Sequence, residues 1–279
     1  MKHGAAYAML VPAGFLLILL WLLPMGIIAG LSLFESTILT TTWVGLKNYA
    51  GMWRDSQWVM AVTNSLFYAG IAIFGTLFFA LPLSLSASRL TKRWRYVFRV
   101  AVYIPTLAAG MIIGQLWMWV FRPGGVANWA LSLVGLGPWR WLGERVLGIP
   151  VIGLIAATCA IGGECIMLMA ALEGVPKSLR EAARMDGAGK LKVWYYIDIP
   201  WVMRMLAIIL ICNVAGGFTI WETVYVLTNG GPEGGTATAL FHIWETAFMR
   251  RRYGMAGAQS IVMLALVAGL TSLTRRINR

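Results

Sequence analysis

Charge is what this chain of 279 residues has least of: Asp, Glu, Lys and Arg together make up 12% of it, about half the share usual in a soluble domain. Hydrophobic residues make up 59%. A soluble fold of this size cannot bury so much apolar surface without leaving large patches facing water. A bilayer removes the difficulty by covering the outward faces with lipid. Acids are scarcer than bases, 11 against 23, for a net charge of +12. Nucleic acid as the partner is set aside, because the basic residues form short clusters between long apolar runs rather than one stripe. The two histidines, His3 and His242, are too few and too isolated for a metal site. The three cysteines, Cys159, Cys165 and Cys212, lie inside apolar runs and read as small buried hydrophobes, not as disulfide or metal ligands. Paired carboxylates, a nucleophile elbow and a metal cluster are all missing. Gly187-Ala-Gly189-Lys190 is not a phosphate loop, since Arg184 stands where the first glycine belongs and Leu191 where the hydroxyl belongs. The chain by itself is expected to be no enzyme and to bind no metal or cofactor.

Long apolar runs are what it has instead. A membrane span needs roughly 20 mostly apolar residues, and six stretches qualify: about Val11–Leu33, Val62–Ser86, Val97–Val120, Ile149–Leu172, Met203–Leu227 and Ala256–Leu273. The runs are continuous rather than alternating in polarity, which excludes a barrel and leaves helices. The N-terminal run is too long for a signal-peptide core and shows no clear small-residue cleavage site, so it is read as a mature span. The expected fold is therefore all-α, a polytopic membrane protein of about six transmembrane helices in one domain over residues 1–279. Gly26 with Gly30, and Gly110 with Gly114, are small-xxx-small pairs that let helices approach closely.

Basic residues orient the spans. With the N-terminus inside, the cytoplasmic face holds Lys2, the Arg89–Arg99 cluster, the cluster from Lys177 to Arg204, and Arg275, Arg276 and Arg279; these are 15 of the 23. Lys47, Arg54, Arg122, Arg140, Arg145 and Arg250–Arg252 fall on the other face. Both termini are expected to be cytoplasmic, with Arg250–Arg252 opposing the bias.

The longest polar stretch on the cytoplasmic face runs from Gly174 to Pro200. Pro176 suits a first helical position. Val175, Leu179, Ala182 and Met185/Asp186 recur at helical spacing, Asp186-Gly187 signals a turn, and Ile199-Pro200 is expected to close a second short helix before the next span. A helix with such a small-residue face can enter a groove on another protein; from the residues alone it can equally be an ordinary solvated loop.

Glu181-Ala182-Ala183, then Asp186-Gly187-Ala188, Trp194 and Ile197-Asp198-Ile199-Pro200 resemble the EAA loop of binding-protein-dependent ABC importer permeases. One departure is Arg204, where many relatives carry a second proline. Tyr103-Ile-Pro105, Leu116–Asn128 and Trp43–Tyr49 are similar to the third span and outer loops of sugar-type permeases. Val226-Leu-Thr228-Asn229-Gly230-Gly231-Pro232, with Thr236, resembles the signature of the first of the two paired permeases in the maltose/glycerol-phosphate group. The resemblance covers nearly the whole chain. It implies a type I importer permease fold in a prokaryotic cytoplasmic membrane. The implied partners are a second homologous permease, two ABC ATPase subunits that carry ATP and Mg, and an extracytoplasmic solute-binding protein. Residues 174–200 would be the coupling loop, with Glu181, Ala182, Ala183, Arg184, Asp186, Gly187, Ala188 and Gly189 at the ATPase cleft. An ion-coupled secondary transporter is the alternative, but no internal repeat supports it.

Ionisable residues in lipid usually face the bundle interior or a water-filled path. Glu164 and Glu222 are read as lining such a path. Asn64 and Gln115 are read first as helix–helix hydrogen bonders, with Gln115 also a candidate for the path. In the family, substrate sits mid-membrane just before the Thr-Asn-Gly-Gly-Pro signature, which here means Asn213 to Tyr225. Gly216-Gly217 would open space there, and Phe218, Trp221 and Tyr225 would offer rings to a sugar-like solute. Which solute it is does not follow from the residues.

Overall fold

A computed structural model describes residues 2–37, 40–108 and 110–277, with the side chains of 2–9 and 273–277 outside the description. Arg279, one of the cytoplasmic bases expected above, lies outside the described residues, and so do the side chains of Lys2, His3, Arg275 and Arg276. The elements in chain order are α1 (Leu10–Leu31), a hairpin of β1 (Phe34–Ser36) and β2 (Thr41–Trp43), α2 (Lys47–Met52), α3 (Ser56–Ala87), α4 (Lys92–Leu107), α5 (Gly110–Phe121), α6 (Val126–Ser132), α7 (Arg145–Glu173), α8 (Lys177–Met185), α9 (Lys190–Thr219), α10 (Glu222–Leu227), α11 (Ala239–Trp244) and α12 (Tyr253–Ile277). Among the described residues, α1, α3, α7, α9 and α12 are each long and apolar enough to cross a membrane, and α4 with the α5–α6 stretch Gly110–Ser132 makes a sixth candidate, bent by 92°.

The bend in that third expected span lies just past Pro105, where α4 ends at Leu107. Ala108 then turns to extended geometry, with its N–H on the Pro105 carbonyl. Three other prolines are absorbed differently. Pro24, Pro82 and Pro200 each follow a five-residue π-helical turn, at Ile18–Leu22, Thr76–Ala80 and Trp194–Asp198. In each case the carbonyl four residues upstream, against which the ring would clash, lies in the widened turn. Pro200 therefore does not end a helix as its position suggested: α9 runs unbroken from Lys190 into the membrane. Its other end is also displaced. The expected fifth span continues to Leu227, but α9 stops at Thr219 and Ile220 is extended, so Glu222 begins the separate helix α10.

The chain divides into two compact units, Met1–Val59 with His242–Leu266, and Met60–Phe241 with Val267–Arg279. In the first, Asn48 Nδ2 donates to the Ser32 and Phe34 carbonyls at 2.9 and 2.8 Å and ties the hairpin down. Gly254 is there because an added Cβ would overlap the Phe34 carbonyl oxygen. Trp58, His242 and Gln259 are buried together in this unit. His242 Nδ1 is 3.4 Å from the Thr246 hydroxyl and Nε2 is 3.8 Å from Asp55 Oδ2. Burial pushes the imidazole pKa below its ordinary 6.5, with Asp55 opposing the shift. Arg250 donates to Gln57 and Glu245, which accounts for one base of the Arg250–Arg252 triplet.

The second unit is built on close helix contacts. A core of Ala80, Leu85, Cys165, Leu168, Leu172, Val202 and Leu206 joins α3, α7 and α9. At Gly217 a Cβ would lie 2.4 Å from the Ala69 backbone nitrogen, so only glycine lets α9 approach α3. By contrast, no atom lies within 4 Å of a Cβ added at Gly216. Residues 228–238, which carry the Thr-Asn-Gly-Gly-Pro run, have no regular backbone pairing of their own. Asn64 Nδ2 donates to the Gly235 and Ala237 carbonyls, the Tyr68 hydroxyl donates to the Thr236 carbonyl, and Ser65 accepts from the Ala239 N–H. Asn64 thus bonds this loop and also a second helix, since Arg145, the first residue of α7, donates to its carbonyl oxygen at 3.0 Å.

Two outcomes follow from these contacts. Gly217→Leu forces the helices apart and should lower thermal stability in detergent by about 1–3 kcal/mol or more, while Gly216→Ala leaves it unchanged; equal behaviour of the two refutes the packing assignment. His242 is favoured neutral in the fold, so its stabilisation is complete above the ordinary histidine pKa and declines as pH falls from there through the lowered value. Hydrogen exchange should therefore show residues 242–249 losing protection on acidification, and His242→Gln should flatten that dependence.

Candidate functional site

The polar loop after α7 is held in shape by its own capping. Val175 is buried, Pro176 is extended and caps α8 rather than opening it, and α8 ends at Met185. Two hydrogen bonds close its C-terminus: Gly187 N–H to the Arg184 carbonyl at 3.0 Å, and Ala188 N–H to the Ala183 carbonyl at 2.9 Å. This pair is the Schellman arrangement, which requires a left-handed residue between helix and exit. Gly187 supplies it at φ +79°. Gly189 then caps α9. Glu181, Ala182, Arg184, Asp186, Gly187 and Gly189 are exposed, and Ala183 and Ala188 half-buried. The tip also presents Met185 and Leu191, 89% and 75% exposed. Met185 entered the sequence reading only as part of the helical pattern. An adaptable apolar side chain left in water at a loop tip is a signal of contact with a partner.

The loop is bolted to the membrane helices by a residue whose role the sequence did not reveal. Asp198 is buried in the π-helical turn of α9. Arg180, from the middle of α8, places Nε and Nη2 at 2.8 and 2.7 Å from Asp198 Oδ1, and Nη2 also donates to the Leu172 carbonyl. Arg89, from the turn after α3, reaches Asp198 Oδ2 at 3.7 Å, donates to the Lys190 carbonyl at 3.1 Å, and lies 4.9 Å above the Trp194 ring. Burial lowers the Arg89 pKa and Asp198 raises it, with Arg184 and Arg180 adding to the lowering. One carboxylate therefore joins α8, α9 and the α3–α4 turn.

Inside the membrane the expected path residues separate into two groups. Asn213 Nδ2 donates to the Thr76 hydroxyl at 2.5 Å, and that hydroxyl is 2.8 Å from Glu164 Oε2. All three are buried between α9, α3 and α7, and Phe218 and Gly217 are also packed inside. Thr76 had no sequence signal; the π-helical turn it opens brings it to this point. The second group surrounds the break after α9. A cavity of about 370 Å³ is lined there by Thr219, Trp221, Glu222 and Thr223, with Gly110 and Cys159 opposite. Trp221 stacks on Tyr225 at 5.2 Å with planes 11° apart. Glu222 leans on Gly110, where a Cβ would lie 2.5 Å from its carboxylate. Gln115 is on the exposed side of α5 and joins neither group. The cavity thus presents an indole, a carboxylate and two threonines.

The chain is similar to several known proteins. It is 28% identical over 274 residues to the probable ABC transporter permease protein YurN of Bacillus subtilis, covering 95% of this chain and 92% of that one. The sulfoquinovosyl glycerol transport system permease protein SmoG of Agrobacterium fabrum is 27% identical over 278 residues, covering 98% and 90%. The sn-glycerol-3-phosphate transport system permease protein UgpA of the same organism is 25% identical over 256 residues, covering 89% and 87%. Among solved structures, a chain of a bacterial alginate ABC transporter in complex with an alginate pentasaccharide-bound periplasmic protein superposes with a TM-score of 0.87 at 20% identity, over all of this chain and 95% of that one. No family profile matches the chain.

Asp198→Asn leaves two guanidinium groups without their carboxylate. Breaking a buried pair costs about 3–5 kcal/mol, and the partial exposure of both arginines places this case at the low end. Trypsin should then cleave at Lys177–Arg184 much faster in Asp198→Asn than in the wild type while the spans stay intact. An unchanged cleavage rate excludes Asp198 as the anchor.

Proposed function

Because the chain belongs to the sugar-type permeases of the binding-protein-dependent ABC importers, we propose that residues 174–200 are its coupling loop and that α8 seats in a cleft of a partner ATPase. The chain is a transmembrane permease subunit that passes a sugar or related polar solute from an extracytoplasmic binding protein across the membrane, with ATP hydrolysed elsewhere. The single observation that carries the coupling assignment is the exposed α8 with its uncovered Met185, fixed to the spans through Arg180 and Asp198. The functional assembly is this chain with a second, similar permease and two ATPase subunits, since one chain offers one docking loop. ATP and Mg belong to those subunits, and the permease itself does no chemistry. Both termini lie in the cytoplasm, as the count of basic residues favours.

The solute path runs through the cavity beside the α9–α10 break. Relatives named for arabinooligosaccharides, diacetylchitobiose and sn-glycerol-3-phosphate suggest a polyhydroxylated solute here too. Trp221 and Tyr225 would stack on its apolar faces and Glu222 would accept from its hydroxyls. Asn213, Thr76 and Glu164 would support the path from behind as a satisfied buried network.

The test is ATPase activity of the reconstituted complex with and without loaded binding protein. Gly187→Val removes the left-handed turn and Ala183→Trp blocks close approach, so both should abolish stimulation while the complex is still recovered from membranes. In parallel, Trp221→Ala and Glu222→Gln should reduce uptake by roughly tenfold, the loss of one satisfied contact. Normal stimulation in the two loop variants rules out the coupling assignment; normal uptake in the two cavity variants moves the path elsewhere.

A further inference from the structure

α4 opens with Lys92-Arg93-Trp94-Arg95-Tyr96, carries its last charge at Arg99 and is apolar from Val100. Against its first two turns is a second cavity, of about 380 Å³, lined by Lys92, Arg95, Tyr96, Arg99 and, from the end of α7, Glu173. Positions 92, 95, 96 and 99 share one helical face. Glu173 Oε1 accepts from Arg95 Nη1 at 3.1 Å and from Arg99 Nη2 at 2.5 Å. One carboxylate thus faces three cations. The Nε of Arg95 and that of Arg99 are both shielded from water without a hydrogen-bond partner. Among the described residues no ion pair reaches Lys92. This surplus of cationic donors matches an anion with several acceptor oxygens, and a phosphate group is the fitting chemistry.

What the phosphate is attached to is decided by the surface beyond the cavity. Tyr96, Val100, Tyr103 and Leu107 recur at spacings of four, three and four, and are 70%, 43%, 39% and 70% exposed. They form an apolar stripe that starts at the cavity and runs along α4. A free phosphate leaves that stripe uncovered, whereas an acyl chain covers it. Trp94, 62% exposed beside the cluster, is the kind of ring that settles at a headgroup boundary. We propose that Lys92, Arg95 and Arg99 form a headgroup site for an anionic phospholipid whose acyl chain lies along the α4 stripe. The proposal rests on the functional reading above only in placing this end of the chain at the cytoplasmic leaflet. Arg95 also donates to the Ser88 and Leu90 carbonyls at 2.7 and 3.2 Å, the turn that carries Arg89 to Asp198. Lipid occupancy is thereby connected to the anchor of the coupling loop.

Native mass spectrometry of the purified full chain in detergent, titrated with phosphatidylglycerol, phosphatidylcholine or inorganic phosphate, reads this site directly. Phosphatidylglycerol should bind more tightly than phosphatidylcholine and persist in excess inorganic phosphate. Lys92→Gln should weaken it about fivefold, and Arg95→Gln with Arg99→Gln by about fivefold per cation removed. Glu173→Gln should strengthen it. Equal binding of the two lipids, unchanged retention in Lys92→Gln, or full displacement by inorganic phosphate overturns the proposal, the last by reassigning the site to a soluble anion. Among the described residues Lys92 makes no ion pair, so its variant reports even where the double variant fails to fold. Binding is measured without ATPase or solute, so a chain that holds lipid yet fails to couple overturns the functional reading alone.

Discussion

In hydrocarbon, a backbone group released from a helix finds no water, so each departure from helix geometry must bring its own partner. The second unit is organised around this constraint. Where α9 breaks, the freed Ile220 carbonyl accepts from the Thr238 hydroxyl at 2.5 Å. Where residues 228–238 run without regular pairing, Asn64 and Tyr68 supply donors from α3, while the Thr228 and Thr236 hydroxyls bond each other and the Gly231 carbonyl. The π-helical turn before Pro82 serves the same requirement. Both of these irregular stretches are bonded by polar side chains, and the cavity with Trp221 and Glu222 opens at the first.

The same economy of polar groups explains how the 174–200 loop is anchored. A buried carboxylate is unfavourable unless its oxygens are occupied, and Asp198 is occupied by guanidinium groups from two different segments. Arg180 and Arg89 are therefore held where a free charge would drift into water. The Schellman closure at Gly187 fixes the end of α8 by the same means, within a few residues of chain.

The network of Asn213, Thr76 and Glu164 shows why a charged residue in a span is ambiguous evidence. Glu164 is buried with a hydroxyl within hydrogen-bond reach, whereas Glu222 is exposed at the cavity. In sequence they are two acids in two apolar runs. Only the break at Ile220 distinguishes them, because it releases Glu222 from the α9 ladder.

Composition and hydropathy alone determined that the chain is a helical membrane protein, since apolar runs of this length leave no soluble alternative and helices satisfy their backbones locally. The Asp186-Gly187 turn was legible for the same reason: its chemistry is contained within a few residues. The bend at Pro105 and the end of α9 were not, because whether a proline or glycine breaks a helix depends on which neighbours can accept the freed groups. The roles of Asp198 and Thr76 were decided by tertiary structure, as their partners lie 18 to 137 residues away in the chain. Gly217 reads as open space in sequence and proved to be a point of contact, because removing a side chain permits either, and only the facing backbone of Ala69 decides which.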